Sequence, residues 1–266
     1  MGAVSYLNTV PLVWGMLHGA QRSLVDLSFS IPSVCAKEVE DGVIQIGLVP
    51  VAEIARQRLE IVPGVGITCL GPVRSILLVS RVPWKNIRTL SADLSSRTSV
   101  QLARVILRER YGVIPEITSH EPALEQMLTT ADAALVIGDP ALRINPEKLP
   151  YEWLDLGAEW LDLTNLPMVF AAWAGKPGLP VEALTALTRE SYEFGRANLD
   201  NIIDQEYEKR GVTRSLANRY LRDYIRFEIG PAEQRGHEAF LELAGLTALA
   251  NARSSESAGR KTEPRP

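Results

Sequence analysis

The chain has 266 residues, of which 46% are hydrophobic and 23% charged, the balance of a soluble globular protein with length for one large domain or two lobes. A formal net charge of -4 argues against a general nucleic-acid binder, which carries a basic surface. Two cysteines, Cys35 and Cys69, are too few for a disulfide scaffold, and the three histidines (His18, His120, His237) are too far apart for metal-ligand spacing.

Val4-Ser5-Tyr6-Leu7-Asn8-Thr9-Val10-Pro11-Leu12 runs from an apolar start into hydroxyls and an amide. Pro11 then opens a helix over 11–19, because proline fits the first helical turn, where an N–H has no partner anyway. Ser5, Tyr6, Asn8 and Thr9 are therefore expected on a strand-to-helix turn, at the sheet end where α/β proteins bind ligands. A plain capping turn, with Thr9 or Asn8 as N-cap, is the alternative. Val25, Leu27, Phe29 and Ile31 alternate with polar residues and predict a half-buried strand. Ser33 is expected to cap a helix over 34–41 stopped by Gly42. The apolar run 43–49 reads as a buried parallel strand, and Pro50 starts a helix to 59. Strand, polar turn and Pro-initiated helix thus occur twice in 50 residues, an α/β pattern.

Strands are expected over 62–70 and 74–80. The hydroxyl-rich stretch 91–98 leads into a helix with Val100, Ala103, Ile106 and Leu107 on one face, ended by Gly112. A strand over 114–118, a helix over 122–130 and a buried strand over 133–137 follow, and Gly138-Asp139-Pro140 repeats the turn a third time. Extended segments at 151–156 and 169–174 close this region. Beyond Pro180 come a helical tract over 181–210, broken near 198–200, a helix over 213–222 with Thr213 or Ser215 near its cap, an extended 225–229 and a helix over 231–246. Residues 251–266 cannot build a core and are expected to be disordered. No leader is recognised before Val4 and no apolar run is long enough to cross a bilayer, so a cytoplasmic protein is expected.

Several residues fit an anion site. Helix N-termini attract anions through free N–H groups, which makes Thr98 and Ser99 candidates for a substrate carboxylate; a cap with spare serines is the alternative. Arg74 has the fork for a carboxylate, or is a surface arginine beside a strand, and Ser75 is a hydroxyl next to a hinge. Ser33 is an N-cap that can also face a ligand. Asp139 fits an N-cap, with Gly138 allowing close backbone approach. Glu53 and Glu159 are candidate acids. No Ser-His-Asp order, P-loop or Rossmann glycine fingerprint is present. The residues by themselves indicate an α/β binder, in two lobes, of a small anionic molecule.

Seven segments carry a resemblance in their shared order: Ser5-Tyr6-Leu7-Asn8-Thr9 with Pro11-Leu12; Cys35-Ala36 with Ile46-Gly47-Leu48-Val49-Pro50; Val73-Arg74-Ser75-Ile76-Leu77-Leu78; Ser95-Ser96-Arg97-Thr98-Ser99; Ile137-Gly138-Asp139; Leu156-Gly157 with Glu159-Trp160; and Leu163-Thr164 with Leu166-Pro167. Over residues 3 to 245, roughly, the chain resembles the chorismate dehydratases of the futalosine route to menaquinone. The resemblance implies a type II periplasmic-binding-protein-like fold, with one lobe from 1–74 and 175–250, the other from 75–174, and a ligand cleft between them. It implies dehydration of chorismate, a small dianion, with no metal or organic cofactor, no nucleic acid and no membrane. On that reading Asn8 is catalytic, and Ser5, Tyr6, Ser33, Arg74, Ser75, Thr98, Ser99 and Gly138 bind substrate. Two other readings stay open: a cytoplasmic small-anion binding protein of the same fold, and the sister dihydroxynaphthoate synthase, which leans on a histidine base for which no counterpart is found in a comparable turn.

Overall fold

The computed structural model describes residues 1–93, 95 and 97–247; the expected disorder at 251–266, and Ser96 of the hydroxyl-rich turn, lie outside them. In chain order the elements are β1 (Gly2–Val4), α1 (Val10–His18), β2 (Ser28–Ser30), α2 (Pro32–Asp41), β3 (Ile46–Pro50), α3 (Val51–Gln57), β4 (Glu60–Cys69), β5 (Ile76–Ser80), β6 (Thr89–Ala92), α4 (Arg97–Tyr111), β7 (Glu116–Ser119), α5 (Leu124–Thr130), β8 (Ala133–Ile137), α6 (Gly138–Arg143), β9 (Glu152–Asp155), α7 (Leu156–Thr164), β10 (Met168–Gly175), α8 (Val181–Ala197), α9 (Leu199–Glu206), α10 (Arg214–Arg219), β11 (Arg226–Ile229) and α11 (Pro231–Leu243). A 3-10 turn, Leu7–Thr9, precedes α1, and a π-helical turn, Tyr220–Tyr224, follows α10.

Two mixed sheets organise the molecule. The first has six strands in the order β11-β4-β10-β3-β1-β2, the second five in the order β7-β6-β8-β5-β9. In the first, β1 runs parallel to β2 and β3 while β10 runs antiparallel to β3 and β4. In the second, β6 runs parallel to β7 and β8 while β5 runs antiparallel to β8 and β9. Strands β3, β5 and β8 are buried along their whole length, as expected of apolar runs covered on both faces. The chain passes from the first sheet to the second between Cys69 and Ile76, and returns between Asp155 and Met168. The return precedes the expected one: β10 belongs entirely to the six-stranded sheet, so 169–174 is not part of the second half. Its apolar run suits either sheet, and only its pairing with β3 and β4 decides.

Local expectations shift at three points. Helix α2 starts at Pro32 with Ile31 as its N-cap, so Ser33 sits inside the first turn and caps nothing; proline takes the first position it fits best. Thr9 is the N-cap residue of α1, as the capping-turn alternative has it, but neither its side chain nor that of Asn8 makes a cap hydrogen bond. Helix α7 lies where the sequence pattern predicts none. It begins at Asp155, whose carboxylate accepts the N–H groups of Gly157 (2.9 Å) and Ala158 (3.2 Å). The same carboxylate accepts Val73 N–H at 2.9 Å and Arg74 N–H at 2.6 Å, so one buried side chain ties α7 to the passage between the sheets. Asp155→Ala is expected to destabilise the fold by about 3 kcal/mol, since it orphans four buried or half-buried donors at once. Equilibrium denaturation in urea checks this, and a loss no larger than that of an ordinary surface substitution would refute it.

Cys35 and Cys69 are both buried and unpaired. Trp160 and Trp173 are fully buried in the core, Trp160 meeting Phe240 edge-on at 6.1 Å. No helix among the described residues is long and apolar enough to cross a membrane.

Candidate functional site

Where the two halves meet, the turn after β1, the first turns of α2 and α4, the start of β5 and the β8–α6 junction face one cavity. It encloses about 60 Å³. Its polar wall is Tyr6, Asn8, Thr9, Ser75, Ser99 and Gly138; its apolar wall includes Leu48, Ile67, Ile76, Ile137 and Phe170. No charged side chain lines it among the described residues. Helix N-termini and neutral donors are therefore what the cavity offers an anion, and helix N-termini supply both free N–H groups and a favourable dipole.

Asn8 is held from behind. Its amide nitrogen donates to the Tyr220 hydroxyl at 3.1 Å, and that hydroxyl donates to Ser75 Oγ at 2.9 Å. The Thr9 hydroxyl, beside Asn8, is buried with no partner among the described residues, so a donor and acceptor there remains to be matched. The Tyr6 ring lies over Gly138, whose φ of +65° leaves no room for a side chain against it. Burial pushes the Tyr6 phenol up to about 12, the Ser95 hydrogen bond opposing and Asp93 and Asp139 adding to the rise, so at neutral pH it is a neutral hydroxyl.

Hydrogen bonds and ion pairs join the halves around this cavity. Tyr6 meets Ser95 Oγ at 3.1 Å, and Leu7 N–H donates to Asp139 Oδ1 at 3.0 Å. Arg210 reaches Asp139 Oδ2 at 3.2 Å and also donates to the Ser5 carbonyl. Ala52 N–H donates to Thr98 Oγ1 at 3.1 Å, and Glu53 pairs with Arg97 at 3.2 Å.

Of the candidates read from sequence, Tyr6, Asn8, Ser75, Ser99 and Gly138 line the cavity, and Ser5, Ser33, Arg74 and Thr98 do not. The Ser5 hydroxyl donates to Ser30 O at 3.3 Å. Ser33 lies in an outer groove on the far side of Tyr6, with Ser95 and His120. Thr98 is fully buried and its hydroxyl is taken by the Ala52 N–H, so the helix start it marks serves the cavity through Ser99 instead. Arg74 corrects the sequence reading most: at φ +63° its guanidinium turns away to the carbonyls of Ala141, Leu142 and Ile144. Its donors are spent on α6 and its end, where they replace the C-cap partners a helix lacks. Asp139 is not an N-cap but the acceptor for Leu7 and Arg210. Glu53 is paired with Arg56 and Arg97, and Glu159 with Arg110; neither lines the cavity. Tyr220 escaped the sequence reading, because nothing local marks a tyrosine 212 residues from Asn8 as its partner. No histidine lines the cavity, and no group of three or more His, Cys, Asp or Glu among the described residues is placed to hold a metal ion.

Asp93 stands in the outer groove. Burial raises its carboxyl above the ordinary value, Ser95 pulling it back and Glu121 adding to the rise. A carboxyl raised in the fold lends stability that is complete below its ordinary pKa and is lost as pH rises through the raised one. Asp93→Asn is therefore expected to raise Tm by a few degrees at pH 7 and to leave it unchanged near pH 4. Thermal melts across that range check it; an equal shift at both ends would show that charge is not the cause.

The family described as "Menaquinone biosynthesis" matches the chain over residues 1–245. A protein named chorismate dehydratase, from Thermus thermophilus, is 27% identical over 264 residues, which is 92% of this chain and 95% of that one. Among solved structures, an Archaeoglobus fulgidus protein superposes with a TM-score of 0.70 at 16% identity, covering 93% of this chain and 97% of its own. The periplasmic aliphatic sulphonate-binding protein of Escherichia coli superposes at 0.62 and 15% identity, covering 95% and 93%. The fold is that of the periplasmic binding proteins.

Proposed function

The chain belongs to the menaquinone-biosynthesis family, and from that premise we propose that it is a hydro-lyase that dehydrates chorismate to 3-(1-carboxyvinyloxy)benzoate. The observation that carries the reading is the cavity's uncharged wall, with Asn8 anchored in it between Tyr220 and Ser75. A dianion sits there against helix starts and hydroxyls, with no fixed cation to draw it out of register.

The reaction removes the ring hydroxyl and the hydrogen on the neighbouring ring carbon. The C–H electron pair becomes the third ring double bond, the C–O bond breaks toward oxygen, and the proton leaves with the hydroxyl as water. Aromaticity supplies the driving force, so the protein has to select this elimination over loss of the enolpyruvyl group, and positioning does that. No carboxylate, imidazole or amine side chain lines the cavity among the described residues, and a neutral amide is no general base at ordinary pH. The proton acceptor is then the substrate's own enolpyruvyl carboxylate, and Asn8 holds the reacting edge by hydrogen bonding.

Incubation with chorismate tests the proposal. A benzoate-type absorbance should grow in, with a product lighter than chorismate by one water in the mass spectrum. Recovery of unchanged chorismate, or of 4-hydroxybenzoate from loss of the side chain, would overturn it.

A further inference from the structure

Asn8 comes from the turn after β1 and Ser75 from the start of β5, on opposite sides of the passage between the sheets. The group that joins them belongs to neither. Tyr220 opens the π-helical turn after α10, and it is 1% exposed. π-Helical turns are rare and recur at functional sites. A phenol has one proton to give. Tyr220 gives it to Ser75 Oγ and so can only accept from Asn8, which accordingly turns its amide nitrogen, not its oxygen, toward the ring. Among the described residues, Asn8 Oδ1 accepts no hydrogen bond and the Ser75 hydroxyl donates none.

We infer that Tyr220 is a positioning residue: its single proton sets the direction of the Asn8–Tyr220–Ser75 chain and leaves an acceptor, Asn8 Oδ1, and a donor, the Ser75 hydroxyl, for the ligand. The inference rests on the dehydration reading. An alcohol is both donor and acceptor, so the ring hydroxyl of the substrate keeps its proton, donates a hydrogen bond to Asn8 Oδ1 and accepts one from Ser75. The Ser75 bond strengthens as charge gathers on the departing oxygen. Ser75 keeps its proton, and the oxygen leaves as water with the proton taken from the neighbouring ring carbon. Reversing the chain would present the amide N–H₂ and a Ser75 lone pair instead, and the hydroxyl would lose this orientation. Burial raises the Tyr220 phenol far above its ordinary range, so the proton that sets the direction stays in place at every working pH.

Tyr220→Phe removes the hydroxyl and keeps the ring. With chorismate it is expected to lower kcat by about 30-fold with KM changed by no more than about threefold. In an Asn8→Ala background, the same change should lower kcat by less, about threefold to fivefold, because of the two groups it orients only Ser75 is left. Equal factors in the two backgrounds would mark Tyr220 as mere packing and overturn the inference. A second measurement needs no turnover. In protein labelled with ¹⁵N-asparagine, the wild-type Asn8 carboxamide should show one slowly exchanging proton, and Tyr220→Phe should speed its exchange by about tenfold or more. Unchanged exchange would overturn the inference as well. A wild-type protein inert toward chorismate would defeat the dehydration reading alone, and the exchange rates would still decide the role of Tyr220.

Discussion

Asn8→Ala is expected to lose turnover of chorismate by about 10²–10³-fold, the loss typical when one preorganised hydrogen-bonding group is removed from a reacting centre. The fold should survive. Asn8 caps no helix, and among the described residues its side chain makes one hydrogen bond, to a tyrosine hydroxyl that keeps Ser75. The stability cost is therefore about 1 kcal/mol. The loss should fall on kcat more than on KM, because the helix starts and the remaining hydroxyls still hold the carboxylates. Asn8→Asp keeps the shape and adds a negative charge to a wall that has none, so there KM should rise as well. Steady-state kinetics with a melting curve for each variant checks the pair, and wild-type turnover in Asn8→Ala would end Asn8's role.

Gly138→Ala should damage both fold and activity. At φ +65° any other residue is strained, and a Cβ placed there would lie 2.7 Å from two carbons of the Tyr6 ring and 2.8 Å from a third. The backbone has nowhere to go, because Gly138 N–H is bound to Ser75 O at 2.8 Å. Tyr6 would have to leave, giving up Ser95 and its place between the cavity and the outer groove. We expect a loss of about 2–3 kcal/mol from strain and overpacking together, and a rise in KM as water enters. Adding Tyr6→Ala should restore most of the stability but not the activity. If the double variant melts no higher than Gly138→Ala, the ring is not the obstacle.

Much of the site could be read before the fold. The turn from Ser5 to Thr9, and the Ile137-Gly138 junction, announce themselves locally: an apolar strand, a polar break and a proline at a helix start. Local pattern also placed β8 at 133–137 and the break between α8 and α9 at Asn198. It could not tell which sheet β10 joins, since periodicity reports burial and not partners. Nor could it tell a spent donor from a free one. Arg74 and Thr98 have the right chemistry at the right place in the chain, yet their hydrogen bonds go to α6 and to Ala52. Tyr220 is the converse, a residue with no local signature whose position matters only in three dimensions. Helix α7 has no such signature: Asp155 ends β9 and caps α7 at once, and only the fold brings Val73 and Arg74 N–H to the same carboxylate.

The bonds that fasten the two halves, from Tyr6 to Ser95 and from Leu7 through Asp139 to Arg210, bear on how fast a metabolite comes and goes. Undoing them widens the way in, and an ajar population that serves as a passage sets the speed of exchange and leaves the equilibrium between the free and occupied closed forms alone. Changes at Ser95 or Arg210, which never touch the guest, would therefore retune the traffic through the cavity more than the grip of its wall.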